Sequence, residues 1–326
     1  MLHGGLVDIF FSDTLPVLNK SMCLNRRNRF ESCNLCGKIC GSDSIKFSDG
    51  LPEINSKNCI SCGLCAYICP SEAIKLRDYQ VLRNILADNV LKCLKTGGAY
   101  CIKSFSAAFL AALIVIKPDI NFIMPCENCE INSRVNNDNL EIAVKFLDSL
   151  KINHDINIIR DKNFESELSR RDLIKNFLTW SRNKSNNLIE NFIWHDKNNS
   201  FNARKFLCDK LINYNGQIDS GIFYNFDVLE SCDLCGLCEG LCPSGALKIV
   251  KSGGKAILKF YAEKCSGCDL CVRKCPRNAI KLCKKFSWPI NENIKREIIM
   301  TRCRHCGMYF IKSEQNQDLC ISCFRS

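Results

Sequence analysis

The sequence has no apolar run long enough to span a bilayer. The longest, Phe105 to Ile116, is broken by Ser106 and falls well short of the roughly 20 residues a membrane helix needs. Its first residues, MLHGGLVDIFFSDTLPVLNK, show no basic start, no sustained apolar core and no small-residue cleavage site, so no secretory signal is read there. Arg26 and Arg27 have no apolar stretch behind them, which argues against a twin-arginine export signal. Histidine is scarce, at four residues. His3, His154 and His195 have no partner at ligand spacing and read as ordinary surface or loop residues. No phosphate-cradling glycine loop is present, since Gly97–Gly98 and Gly253–Gly254 read as turns. The Ser and Asp residues form no nucleophile–base pattern, so nothing points to a serine-type hydrolase.

What the sequence has in excess is cysteine: 26 in 326 residues, roughly 8%, the edge of the range that signals a cysteine scaffold. A disulfide framework and a set of metal thiolates are the competing explanations. Disulfide scaffolds are usually small and secreted; this chain is long enough for two or more domains, is 46% hydrophobic, and is expected in the cytoplasm with its cysteines reduced or metal-bound. The formal charge of +11 counts every cysteine as a neutral thiol, whereas metal ligands are thiolates. A [4Fe–4S]²⁺ core with four thiolates carries −2, as does Zn²⁺ with four. Four such clusters and one zinc bring the loaded chain to about +1, so the basicity compensates anionic clusters and is poor evidence for a nucleic-acid partner.

The cysteines fall into blocks. Residues 23–69 hold eight, 232–283 nine and 303–323 four, with five more across 70–231. The run Phe30–Phe47 aligns without gaps on Cys59–Leu76, and Cys232–Ile249 aligns on Cys265–Leu282. The sparse stretch reads as α/β: a helix over Val81–Leu94, a strand at Ala99–Lys103, a buried helix at Ala107–Ile116, a strand at Asn121–Met124, a helix at Leu140–Leu150 and a strand at Ile156–Ile159. That alternation suggests a small parallel sheet with crossover helices.

Three runs match C-x2-C-x2-C-x3-C-Pro: Cys59/Cys62/Cys65/Cys69-Pro70, Cys232/Cys235/Cys238/Cys242-Pro243 and Cys265/Cys268/Cys271/Cys275-Pro276. Two-residue gaps let a tight loop wrap three thiolates around one face of a cube while backbone amides turn toward the sulfurs. The fourth cysteine lies past the loop and ligates the neighbouring cluster. Gly63, Gly236 and Gly267 permit the backbone angles such loops need.

Both blocks therefore resemble bacterial-type two-cluster ferredoxin domains. In the second block the resemblance implies crossed ligation, Cys232, Cys235, Cys238 and Cys275 for one cluster and Cys265, Cys268, Cys271 and Cys242 for the other. The first block departs from the pattern: Phe30 stands where a first cysteine belongs, and Gly41 replaces a proline. Cys59, Cys62, Cys65 and Cys40 still form a full set, but Cys33, Cys36 and Cys69 are only three. Either Cys23 loops in as the fourth ligand, or the site holds [3Fe–4S] or a cluster with one open iron.

In the C-terminal block, Cys303-x2-Cys306 and Cys320-x2-Cys323 resemble a zinc ribbon. Structural Zn²⁺ is favoured over a single rubredoxin-like iron, because a short tail needs a metal to fold. His305, inside the first knuckle, reads as a solvent-facing loop residue. In the central stretch, Cys101 is expected near the carboxyl end of a first strand, Cys126 and Cys129 after a second, and Cys93 at the end of the preceding helix. Carboxyl ends of parallel strands are where open α/β sheets bind ligands, so these four are candidate metal ligands or a redox dithiol; the alternative is that Cys93 and Cys101 are core and Cys126/Cys129 an exposed pair. The stretch resembles the middle segment of some multi-cluster ferredoxin-type proteins and small iron–sulfur subunits attached to hydrogenases. Cys208 and Cys283 read as packing residues.

The expected organisation is two α+β ferredoxin-like modules, 1–80 and 226–286, flanking an α/β domain at 81–163, with a helical connector at 164–225 and a zinc-ribbon-like tail at 287–326. The resemblance implies three or four [4Fe–4S] clusters, or a [3Fe–4S] core in place of one, in an electron-transfer protein or the iron–sulfur subunit of an oxidoreductase, working with a redox partner protein or catalytic subunit. A redox enzyme with a substrate or dithiol site at the central cysteines, and a cluster-sensing nucleic-acid regulator, are the rival readings.

Overall fold

A computed structural model describes residues 15–27, 32–77, 81–82, 85, 89–126, 129–135, 138–160, 201–219, 221–290, 294–312 and 318–325. It divides into two units, Met1–Ile212 and Asn213–Ser326.

In the first unit the strand Val17–Leu18 pairs antiparallel with Ile74–Lys75. Between them lies a hairpin, Ile45–Ser48 with Leu51–Ile54. Its two-residue turn is Asp49–Gly50, both at positive φ, as a right-twisting hairpin prefers. Two short helices, Leu35–Ile39 and Leu64–Ile68, each follow a cysteine loop and pack against one another. Cys36, Cys65 and Ile74 form the small buried centre of this layer. So little apolar material suits a domain whose interior is meant for something other than side chains.

The chain then continues into a three-stranded parallel sheet, Val90–Lys92, Asn121–Ile123 and Asn157–Ile159, in that order. Parallel neighbours require crossovers, and the helices Ala107–Ile116 and Asn139–Ser149 provide them. The first of these helices is buried from Ala107 through Ile114, which explains its uniformly apolar sequence, and Ser106 caps it by accepting the Phe109 N–H at 3.2 Å. Tyr100 meets Phe105 edge-on with ring centroids 5.8 Å apart, and Phe105 stacks on Phe109 of this helix at 4.9 Å.

The first strand is not where the pattern placed it. Of the helix expected over Val81–Leu94, Val81, Leu82 and Ile85 are helical, and Asn89, whose N–H bonds the Ile85 carbonyl at 2.8 Å, has a φ of +53°, a left-handed conformation of the kind Asn tolerates at a helix end. Val90–Lys92 follows as the strand. The segment expected as strand Ala99–Lys103 instead ends in a 3-10 turn over Ile102–Ser104.

The second unit repeats the plan of the first layer. Asn225–Val228 pairs with Ile280–Cys283, and the hairpin Leu247–Ser252/Lys255–Phe260 lies between them in sequence. Two additions follow. Gly216–Asp219 pairs with Lys285–Trp288, and the nine-residue strand Ile294–Arg302 adds to Lys255–Phe260, then pairs at its far end with Tyr309–Ile311. Phe226 packs on Phe260 at 4.5 Å and Phe223 on Trp288 at 4.7 Å. Gly216–Asp219 and the start of Asn225–Val228 fall inside the stretch read as a helical connector. Only Ile218 is buried in the first of these, so its alternation is too short to read. Residues 164–200 of that connector lie outside the described residues.

Candidate metal centres

Four cavities in the two units are each lined by four cysteines. Cys40, Cys59, Cys62 and Cys65 surround one of about 340 Å³, counted to its open mouth. Cys23, Cys33, Cys36 and Cys69 surround another of about 340 Å³. In the second unit Cys232, Cys235, Cys238 and Cys275 line about 360 Å³, and Cys242, Cys265, Cys268 and Cys271 line about 470 Å³. Each set takes three thiols from one stretch of chain and one from another, the exchange the repeat suggests.

The loops are shaped for this. In the three complete motifs the two-residue gaps hold left-handed residues: Ser61 and Gly63, Leu234 and Gly236, Gly267 and Asp269. Non-glycine residues adopt that region at a cost, and here it turns the chain around each cavity. At Gly63 there is a second constraint, because a Cβ would overlap the Ser104 hydroxyl.

Cys23 reaches its cavity through two local devices. Pairing of Val17–Leu18 with Ile74–Lys75, continued by the Asn19 N–H to the Ala73 carbonyl at 2.7 Å, lays the N-terminal segment beside the chain that follows Cys69. Asn25 then clasps Cys33, accepting its N–H at 2.5 Å and donating to its carbonyl at 2.9 Å.

Burial and neighbouring thiols dominate the proton affinities. Burial, with the charge of nearby Cys69, lifts Cys36 to about 11; burial, with nearby Cys232, lifts Cys238 to about 11. Cys65 and Cys271 rise further for the same reasons. Four sulfurs held together away from water disfavour thiolates until a cation arrives to neutralise them. Cys40 goes the other way: burial raises it, but hydrogen bonds from Ser42 and Ser44 outweigh that and leave it lowered.

Those serines are part of a feature the motif reading missed. The cysteine lent to the neighbouring cavity is followed two residues later by serine in three cases of four, with hydroxyl-to-sulfur distances of 3.6 Å for Cys40–Ser42, 3.7 Å for Cys69–Ser71 and 3.6 Å for Cys242–Ser244. The fourth, Cys275, has Arg277 instead, which pairs with Asp233 at 3.2 Å. Backbone amides add to this, Ala246 N–H to Cys242 Sγ at 3.2 Å and Ala279 N–H to Cys275 Sγ at 3.3 Å. The repeated Cys-x-Ser was visible in the sequence.

The tail differs in scale. The sulfurs of Cys303, Cys306, Cys320 and Cys323 all lie within 4.8 Å of one another, the only such group among the described residues. The Cys306 and Cys320 sulfurs are 3.6 Å apart. Tetrahedral Zn–S bonds of about 2.3 Å place sulfurs about 3.8 Å apart, so the spacing suits one ion, whereas the cavity-lining thiols are spread around a larger space. His305 does not simply face solvent, since its Nδ1 lies 3.5 Å from Cys323 Sγ.

Among the central cysteines, Cys93, Cys101 and Cys129 are buried and Cys126 is partly exposed. Cys93 follows the strand Val90–Lys92 rather than ending a helix, and Cys101 precedes the 3-10 turn rather than ending a strand. The neighbouring Cys101 thiol lowers the proton affinity of Cys93, and that of Cys101 is raised by Cys93 and by burial. Cys126 lies within electrostatic reach of Cys93 and Cys129. Cys208 is partly exposed, and Cys283 is raised by burial and by Asp227.

Residues 231–279 match the 4Fe-4S dicluster domain family, and residues 52–75 match the 4Fe-4S binding domain family. The chain carries two 4Fe–4S ferredoxin-type domains. The first match includes the eight cysteines from Cys232 to Cys275; the second includes Cys59, Cys62, Cys65 and Cys69. The ferredoxin-type domains support a role in iron–sulfur electron transfer. Together the matches cover well under half of the chain, and no curated protein matches it. No helix among the described residues is long and apolar enough to cross a membrane.

Proposed function

We propose that the chain is a multi-cluster electron carrier of the bacterial two-cluster ferredoxin type, holding four [4Fe–4S] clusters and one tail zinc, and serving a redox partner protein or the catalytic subunit of an oxidoreductase. The observation that carries this reading is the four-by-four arrangement of cysteines around the cavities. Sulfur-only donor sets around a space too wide for one ion fit the thiolate ligation of iron–sulfur cubes. In this reading Cys40, Cys59, Cys62 and Cys65 hold one cluster, and Cys23, Cys33, Cys36 and Cys69 its neighbour. Cys232, Cys235, Cys238 and Cys275 hold the third, and Cys242, Cys265, Cys268 and Cys271 the fourth.

Bound there, the clusters supply reversible one-electron storage. The protein holds the sulfurs apart, directs amide and hydroxyl hydrogens at them, and excludes water from the inner faces, the levers that set potential. Cys65 lies within electrostatic reach of Cys36, and Cys271 of Cys238, so the sites adjoin in pairs, as stepwise electron passage requires. The C-terminal cysteines suit a structural zinc. The test is chemical analysis of protein made without oxygen. Iron and acid-labile sulfide of at least about sixteen each per chain are expected, about four per cube, with one zinc; protein lacking both iron and sulfide overturns the proposal.

A further inference from the structure

Outside the four cavities, the described part of the central sheet gathers a further set of thiols beside one of them. Cys93 and Cys126 sit at the carboxyl ends of adjacent parallel strands, fixed to one edge by the Cys93 N–H, which bonds the Ile123 carbonyl at 3.1 Å. Cys101 lies within electrostatic reach of Cys93, and Cys126 within reach of Cys93, Cys101 and Cys129. Lys103, paired with Asp138 at 3.8 Å, supplies a cation near Cys126.

This group is joined to the Cys40/Cys59/Cys62/Cys65 site on two sides. On one, the Cys101 N–H donates to the Cys62 carbonyl at 3.3 Å, and Ser104, held by its hydroxyl on the Cys101 carbonyl at 2.6 Å, packs against Gly63. On the other, the short helix that begins after Cys129 leads to Arg134, whose guanidinium occupies the space a side chain at residue 41 would need and reaches the Ile39 carbonyl at 3.5 Å. The arginine tip fills the space that Gly41, which stands where the motif has proline, leaves open.

We infer that Cys93, Cys101, Cys126 and Cys129 hold a fifth iron–sulfur centre, which exchanges one electron with the cluster at Cys40/Cys59/Cys62/Cys65. This rests on the ferredoxin-type reading of that neighbouring site. Two observations choose an iron–sulfur centre over the other uses of four thiols. A zinc site would draw its sulfurs together as the tail does, and the central four do not form such a group. A dithiol acting on a substrate needs accessible sulfur, yet only Cys126 of the four is partly exposed, and its C-x2-C partner Cys129 is buried with Cys93 and Cys101, at 8%, 6% and 3% exposed. The electron moves as follows: the neighbouring cluster, reduced by one, is oxidised as this centre is reduced by one, with no proton required.

Native mass spectrometry of the anaerobic full-length protein tests this. The expected spectrum carries four cube increments, one zinc, and one further iron-and-sulfide increment. The further increment disappears in Cys126→Ser/Cys129→Ser, while the four cubes remain. A fully loaded wild type with four cubes and one zinc and nothing more overturns the fifth centre alone, as does a second zinc in place of the iron. A wild type with no cube increments overturns the ferredoxin-type reading itself. Should the double variant fail to fold, the wild-type increments still decide.

Discussion

Replacing Cys23 by alanine separates the ways of completing the first domain's odd site. The side chain is 8% exposed and lines the cavity with Cys33, Cys36 and Cys69. Its removal deletes one small buried group, which costs about 1 kcal/mol of packing and leaves the strand pairing and the Asn25 clasp in place. The fold is therefore expected to survive with one thiolate fewer. Three remaining thiolates suit a three-iron core, so iron per chain falls by about one from about sixteen in the cubes. Low-temperature electron paramagnetic resonance of the oxidised variant then shows a [3Fe–4S] signal absent from the wild type. Asn25→Ala is the companion perturbation: it keeps every thiol and removes two hydrogen bonds to Cys33 and one to the Gly50 carbonyl, together worth about 1.5–4.5 kcal/mol. Partial loss of the same iron is expected, restored by excess iron and sulfide. Unchanged iron, sulfide and spectrum in Cys23→Ala would refute the assignment.

The Ser244 hydroxyl stabilises the more negative, reduced state of the cluster held by Cys242, so Ser244→Ala lowers that cluster's midpoint potential in a redox titration and leaves the iron content intact; an unchanged or raised midpoint contradicts the role given to the hydroxyl. In the metal-free tail, Cys303 is already held near 6 by amides of the Cys306 and Cys320 region, while Cys306 is raised and Cys323 stands at about 12. Taken as one coupled group of four thiols, the site is only partly deprotonated at neutral pH, so zinc binding expels protons and affinity falls as pH falls; calorimetry in buffers of different ionisation enthalpy reads the proton release.

The chemistry of this chain was easier to read than its framework. Evenly spaced thiols fix loop geometry locally, so the three complete motifs are visible without any knowledge of the surrounding fold. Cys23 was only one of several options, because its position depends on a two-residue strand pairing and on Asn25, neither of which has a period to detect. The misplaced first strand has a similar cause. Val81, Leu82 and Ile85 follow helical spacing and Leu94 extends it by coincidence, while the stop signal rests on a single residue, Asn89. The helices Ala107–Ile116 and Asn139–Ser149 lie where the pattern put them, since each carries a long enough apolar stretch. The approach of Arg134 to the loop at Gly41, more than ninety residues onward, has no local pattern that the sequence could show.

The strand Ile294–Arg302 has a mechanical consequence. One end is bonded along the hairpin that lies between the two cysteine loops of the second domain, and the other runs directly into the first knuckle of the tail. A load applied at the C-terminus is therefore passed as shear along a row of interstrand bonds rather than absorbed by a slack tether. A partner that grips the knuckles would be holding a lever whose fulcrum lies against the sheet beside the clusters.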